Sequence, residues 1–155
     1  MLMMTDTPSP SSPGTKGSME AGSASGSGSR AHTILVVEDD TAVGSVIRRS
    51  LERFGYQVLL VESGTEAIRI ATEHPEQIDL LLTDIVMPGM NGVQVADAVV
   101  KLRDDIRVLF MSGYADQELI RTGLLSHQSR FLQKPFDPGE LNRKVRETLE
   151  RDDPD

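Results

Sequence analysis

The stretch Thr33-Ile-Leu-Val-Val-Glu-Asp-Asp-Thr41 decides how this chain is read. Thr33–Val37 is an unbroken run of apolar and β-branched residues, the pattern of a strand buried on both faces. Three acidic residues, Glu38, Asp39 and Asp40, follow it directly. Beyond them Val43, Val46, Ile47, Ser50/Leu51 and Phe54 recur at intervals of three and four. That spacing predicts a helix, capped by Asp40 or Thr41 and ended at Gly55.

Working outward, the chain goes on alternating strand and helix. Gln57–Val61 reads as a second strand, and Gly64–His74 as a short helix with Ala67, Ile68 and Ala71 on one face, stopped by Pro75. Asp79–Thr83 is a third strand, ending at Asp84, and Met87-Pro-Gly-Met-Asn-Gly92 is a turn-rich loop. Val93–Leu102 predicts a helix, Arg107–Met111 a strand, Asp116–Leu125 a helix and Arg130–Gln133 a short strand. Pro138–Leu149 closes as a helix with Leu141, Val145 and Leu149 four apart. Five strands alternating with five helices predict an α/β fold, a single doubly wound parallel sheet with helices on both faces.

In such a sheet the carboxyl ends of the strands meet along one edge, where ligands bind. Glu38 and Asp39, then Asp84, then Lys134-Pro135 each follow an apolar run, so all of them fall on that edge. Carboxylates from two strand ends and an ammonium from a third suit a hard divalent cation and a phosphoryl group.

With 155 residues the chain holds one domain of ordinary size. Residues 1–31 are mostly Ser, Gly, Pro, Thr and Ala, too poor in apolar side chains to offset their ordering entropy. They are expected to be a disordered tail or linker, flexible over Gly22 to Ser29. Residues 32–150 form the domain, and 151–155 a short acidic tail. A net charge of −8 speaks against a nucleic-acid-binding surface. Cysteine is absent, which removes disulfides, thiolate chemistry and cysteine zinc sites and suits a cytoplasmic setting. No apolar run approaches the roughly 20 residues of a membrane helix, and the N-terminus lacks the marks of a signal peptide.

The segments Ile34-Leu-Val-Val-Glu-Asp-Asp40, Leu82-Thr-Asp-Ile-Val-Met-Pro-Gly-Met-Asn-Gly92, Phe110-Met-Ser-Gly-Tyr114 and Phe131-Leu-Gln-Lys-Pro-Phe136 carry a resemblance. In order and spacing, over residues 32–150, the chain resembles response-regulator receiver domains, the phosphoacceptor modules of two-component signalling. The resemblance implies a flavodoxin-like strand order, 2-1-3-4-5. It implies Asp84 as the phosphorylated residue, whose carboxylate attacks phosphorus to give an acyl phosphate.

It further implies Mg²⁺ (or Mn²⁺) at Glu38, Asp39 and Asp84. Asp39 would be a direct ligand, Glu38 one through water, and the backbone carbonyl of Val86 another. Many members carry aspartate where this chain has Glu38, and Asp40 is better explained as a helix cap. Lys134 matches the lysine that pairs with phosphoryl oxygens, before a Pro135 whose peptide bond is commonly cis in the family. Ser112 matches the hydroxyl that bonds the phosphoryl group, with Gly113 leaving it room, and Phe131 falls at the switch aromatic. Plainer readings are an aspartate opening a turn, a solvated loop lysine and a half-buried edge aromatic. Met87, Met90 and Met111 read as packing residues; His32, His74 and His127 show no metal spacing.

By the same resemblance the phosphoryl donor is a sensor histidine kinase or a histidine phosphotransfer protein. The chain would catalyse only its own phosphorylation and dephosphorylation, and would bind no nucleic acid directly. The responding surface would be the helix over 116–125, the strand over 130–133 and the helix over 138–149, with a homodimer through that face left open. Only six residues follow Leu149, so the expectation is a stand-alone receiver or the C-terminal receiver of a hybrid kinase. The wording of the last two segments leans toward the hybrid.

Val86 and Tyr114, two residues after Asp84 and Ser112, should flank the route by which water reaches the phosphoryl group, and their bulk would lengthen the phosphorylated state. Two rivals stand against this reading. A haloacid-dehalogenase-like phosphatase would need its nucleophile where Glu38 stands. A receiver fold that signals without phosphorylation would have no use for the full set of Glu38, Asp39, Asp84, Ser112 and Lys134.

Overall fold

Thr33–Val37 forms the first strand, β1, and every one of its residues is buried. The computed structural model describes residues 31–113 and 130–150. Along the chain follow α1 (Thr41–Arg53), β2 (Gln57–Val61), α2 (Gly64–Glu73), β3 (Leu80–Asp84), α3 (Gly92–Leu102), β4 (Arg107–Ser112), β5 (Arg130–Gln133) and α4 (Pro138–Glu150). The helix expected over 116–125 lies outside the described residues, as do the tail before Ala31 and the last five residues. The strands form one parallel sheet in the order β2-β1-β3-β4-β5. That is the flavodoxin-like order.

Two cores sandwich the sheet, because successive strand side chains point to opposite faces. Leu35, Val37, Leu81 and Phe110 face α2 and α3, joining Ala67, Ala71, Val95 and Val99. Ile34, Val36, Leu80, Leu82, Leu109 and Met111 face α1 and α4, joining Ile47, Leu51, Leu141 and Val145. The unbroken apolar runs of β1 and β3 are thus required: each face of each central strand has its own helices to cover.

The α1 stripe differs from the spacing read in the sequence. Gly44, Ile47, Ser50 and Leu51 are buried, whereas Val43, Val46 and Phe54 are exposed. The buried stripe therefore passes through Gly44 rather than Val43. A Cβ on Gly44 would stand 3.1 Å from Leu60 of β2, so glycine lets the first turn of α1 close on that edge strand. Asp40 is the N-cap, its side chain accepting from the Ala42 and Val43 amides. Thr41 is the first helical residue.

Strand β3, Leu80–Asp84, starts and ends one residue later than the expected Asp79–Thr83, placing Asp84 within it in register with Met111. Asp79 instead sits at the amino edge, its Oδ2 accepting the Thr33 amide at 2.8 Å. Helix α3 begins with a capping box, Asn91 and Gln94 bonding one another's amides. Its far end is tied to α2 by Arg103, whose guanidinium donates to the carbonyls of Ala71, His74 and Glu76. Among the described residues no helix is long and apolar enough to cross a membrane.

Candidate functional site

The carboxyl ends of β1, β3 and β5 deliver the polar groups. Glu38 follows β1 and is held in line by its amide, which donates to the Val61 carbonyl at 3.1 Å. It is only 2% exposed. Asp84 ends β3 beside it and is also buried. Asp39 is exposed at the rim. One carboxylate oxygen from each of the three lies within 4.8 Å of the others. Such a group of oxygens fits a hard divalent cation, which takes one or two carboxylates and completes its shell with water or phosphate.

Lys134 enters from the loop after β5, its amide donating to the Ser112 carbonyl at 2.8 Å. The Lys134–Pro135 peptide bond is cis. Its Nζ lies 2.6 Å from Asp84 Oδ1 and 3.1 Å from Glu38 Oε1, bridging two carboxylates of the cluster. Burial, then hydrogen bonding with Glu38, pushes the Asp84 carboxyl from 3.8 up to about 7, with Lys134 opposing. Burial also works against the Lys134 ammonium, yet the hydrogen bond and charge of Asp84, then those of Glu38, hold its pKa above the ordinary lysine value. The cluster is short of positive charge, which a divalent cation would supply.

Backbone geometry at Asp84 depends on a residue the sequence shows only as part of a turn. Gly92 opens α3 against the end of β3, and a Cβ there would stand 2.0 Å from the Asp84 carbonyl oxygen. Its amide donates to the Ile85 carbonyl at 2.7 Å, and Thr83 Oγ1 donates to the Asp84 carbonyl at 3.0 Å. Glycine is thus needed for the helix to abut the strand so closely.

The remaining candidates are spread around this centre. Ser112 ends β4 beside β3 and is buried. Val86 is 57% exposed in the loop after β3. Phe131 lies half-buried in β5, its ring stacked 6.0 Å from that of Phe110. It faces the same side as α2 and α3. Gly113 is described next to Ser112; Tyr114 and His127 lie outside the described residues. Asp40 points away as a helix cap rather than into the cluster. Met87 and Met111 are core residues and Met90 packs against the core.

A parallel sheet bearing three carboxylates and a lysine on its carboxyl edge defines a doubly wound α/β domain with an acidic, lysine-bridged cluster at the edge where such folds bind ligands. Within that class the chain belongs to the response regulator receiver domain family, whose model matches residues 34–146. It is 37% identical over 121 residues to the sensor kinase CckA of Brucella abortus (strain 2308), covering 78% of this chain and 13% of that one. Against the response regulator receiver protein CpdR of the same organism it is 32% identical, covering 75% of this chain and 95% of that one. The crystal structure of a response regulator receiver protein from Sinorhizobium medicae WSM419 superposes with a TM-score of 0.67 at 29% identity, over 77% of this chain and 94% of that chain. This chain spans 52% and 51% of two further relatives, both named as transcriptional regulatory proteins.

Proposed function

We propose that this domain takes a phosphoryl group onto Asp84 from a phosphohistidine of a sensor kinase or phosphotransfer protein, with Mg²⁺ at Glu38, Asp39 and Asp84. The observation that carries the reading is Lys134 Nζ at 2.6 Å from a buried carboxylate oxygen inside an acidic cluster. An Asp84 oxygen attacks phosphorus as the histidine N–P bond breaks, and the donor ring, already carrying a proton on its other nitrogen, leaves as neutral imidazole. Bound Mg²⁺ would neutralise charge on the carboxylates and the transferring oxygens. Glu38, Asp39, Asp84 and the Val86 carbonyl would hold it. Lys134 then exchanges its Asp84 contact for a phosphoryl oxygen, and the Ser112 hydroxyl donates to another.

The new group brings a charge of about −1.5 to −2. Drawing Ser112 inward and letting Phe131 follow, it biases a two-state equilibrium at the face of β5 and α4 together with residues 116–125. The chain's catalysis is confined to itself, and its working compartment is the cytoplasm. The reading serves a stand-alone receiver and a hybrid-kinase receiver alike.

Intact-mass analysis after incubation with acetyl phosphate and Mg²⁺ tests it. A gain of about 80 Da, one phosphoryl group, is expected in wild type and absent from Asp84→Asn. No adduct, even with a kinase-derived phosphohistidine donor, would leave a receiver that signals without phosphorylation. Phosphoryl lifetime is a separate outcome: the exposed apolar Val86, with Tyr114, is proposed to keep water off the acyl phosphate. A Val86→Asn/Tyr114→Glu double variant should dephosphorylate faster; equal or slower decay refutes that part.

A further inference from the structure

We infer that Glu38 is the resting counter-ion of Lys134, and that this pairing sets how readily the site takes a divalent cation. The inference rests on the phosphoacceptor reading above and concerns the state before phosphorylation. Both oxygens of Glu38 are engaged: Oε1 lies 3.1 Å from Lys134 Nζ, and Oε2 accepts the Asp40 amide at 3.1 Å. The carboxylate is buried, whereas the Lys134 side chain is 32% exposed. A buried carboxylate stripped of its partner is costly, so the ammonium is held by more than Asp84. A cation entering among Glu38, Asp39 and Asp84 meets an ammonium already bound to two of them, and like charges at such separations compete.

The length of the Glu38 side chain makes this possible. Its backbone is fixed by the hydrogen bond its amide donates to the Val61 carbonyl and by the buried strand before it. Aspartate at this position would carry its carboxylate about 1.5 Å short of the same reach, one carbon–carbon bond. It would surrender Lys134 and leave its charge free for the cation. Glu38 is therefore a positioning residue for Lys134 as well as a member of the acidic cluster.

A double-mutant cycle on the full chain tests the coupling. Mn²⁺ binding, read from the free-ion paramagnetic resonance signal with Mg²⁺ competition, is compared for wild type, Glu38→Asp, Lys134→Met and the double variant. Glu38→Asp should tighten Mn²⁺ binding about fivefold in the wild-type background. The same change should add nothing once Lys134 is neutral. An equal effect in both backgrounds, or no tightening in wild type, overturns the inference. Lys134→Gln replaces Lys134→Met should the latter not fold by circular dichroism. If wild type gains the phosphoryl mass while the cycle is additive, this inference alone falls; if wild type gains none, the phosphoacceptor reading falls whatever the cycle shows.

Discussion

Asp84 shows most clearly what one residue's surroundings do. Its carboxyl, raised to about 7 against 3.8, stays protonated in the folded, cation-free protein where the unfolded chain has already lost the proton. Stability from this group is fully present below pH 3.8 and is lost as pH rises through about 7. Asp84→Asn, which cannot ionise, should therefore match wild type near pH 4 and gain on it progressively toward pH 7, by a few kcal/mol at most. Denaturant melts in EDTA across that range check this. A constant difference between the two proteins would refute the burial argument. Saturating Mg²⁺ should restore much of the loss in wild type and little in the variant. That aspartate is plain in the sequence, but its protonation follows from neighbours 46 and 50 positions away, Glu38 and Lys134.

At the scale of elements, the helices divide between those whose caps are written locally and those whose faces are chosen by their neighbours. Asn91 and Gln94 form a capping box that short-range rules anticipate. The α1 face does not follow from spacing alone. Val43 and Gly44 are adjacent, about 100° apart on the helix, and only the position of Leu60 selects Gly44 for the buried side. Arg103 is a second feature outside local rules, since it ends α3 yet bonds three carbonyls at the end of α2. Arg103→Ala should leave those carbonyls to water and cost about 2 kcal/mol. Thermal melting measures that loss, and acetyl-phosphate labelling should be unchanged in rate below the melting range because the clamp lies at the opposite edge from Asp84.

For the molecule as a whole, the sheet is a partition between two hydrophobic cores, each with its own helices. Leu82→Ala empties a fully buried position in the core under α1 and α4. A loss of about 3 kcal/mol is expected by chemical denaturation. A loss below about 1 kcal/mol would show that the core collapses around the gap. From the sequence alone come the strand and helix alternation, the parallel sheet and the carboxyl-edge position of Glu38, Asp39, Asp84 and Lys134. Each rests on apolar periodicity and on the acidic or basic residue that ends a run, both local properties of the chain. Only the tertiary structure decides that Gly92 must abut Asp84, that Gly44 is buried while Val46 is not, and that Lys134 bridges Glu38 and Asp84. Those depend on distances between strand ends far apart in sequence, which the sheet register sets and no local pattern encodes.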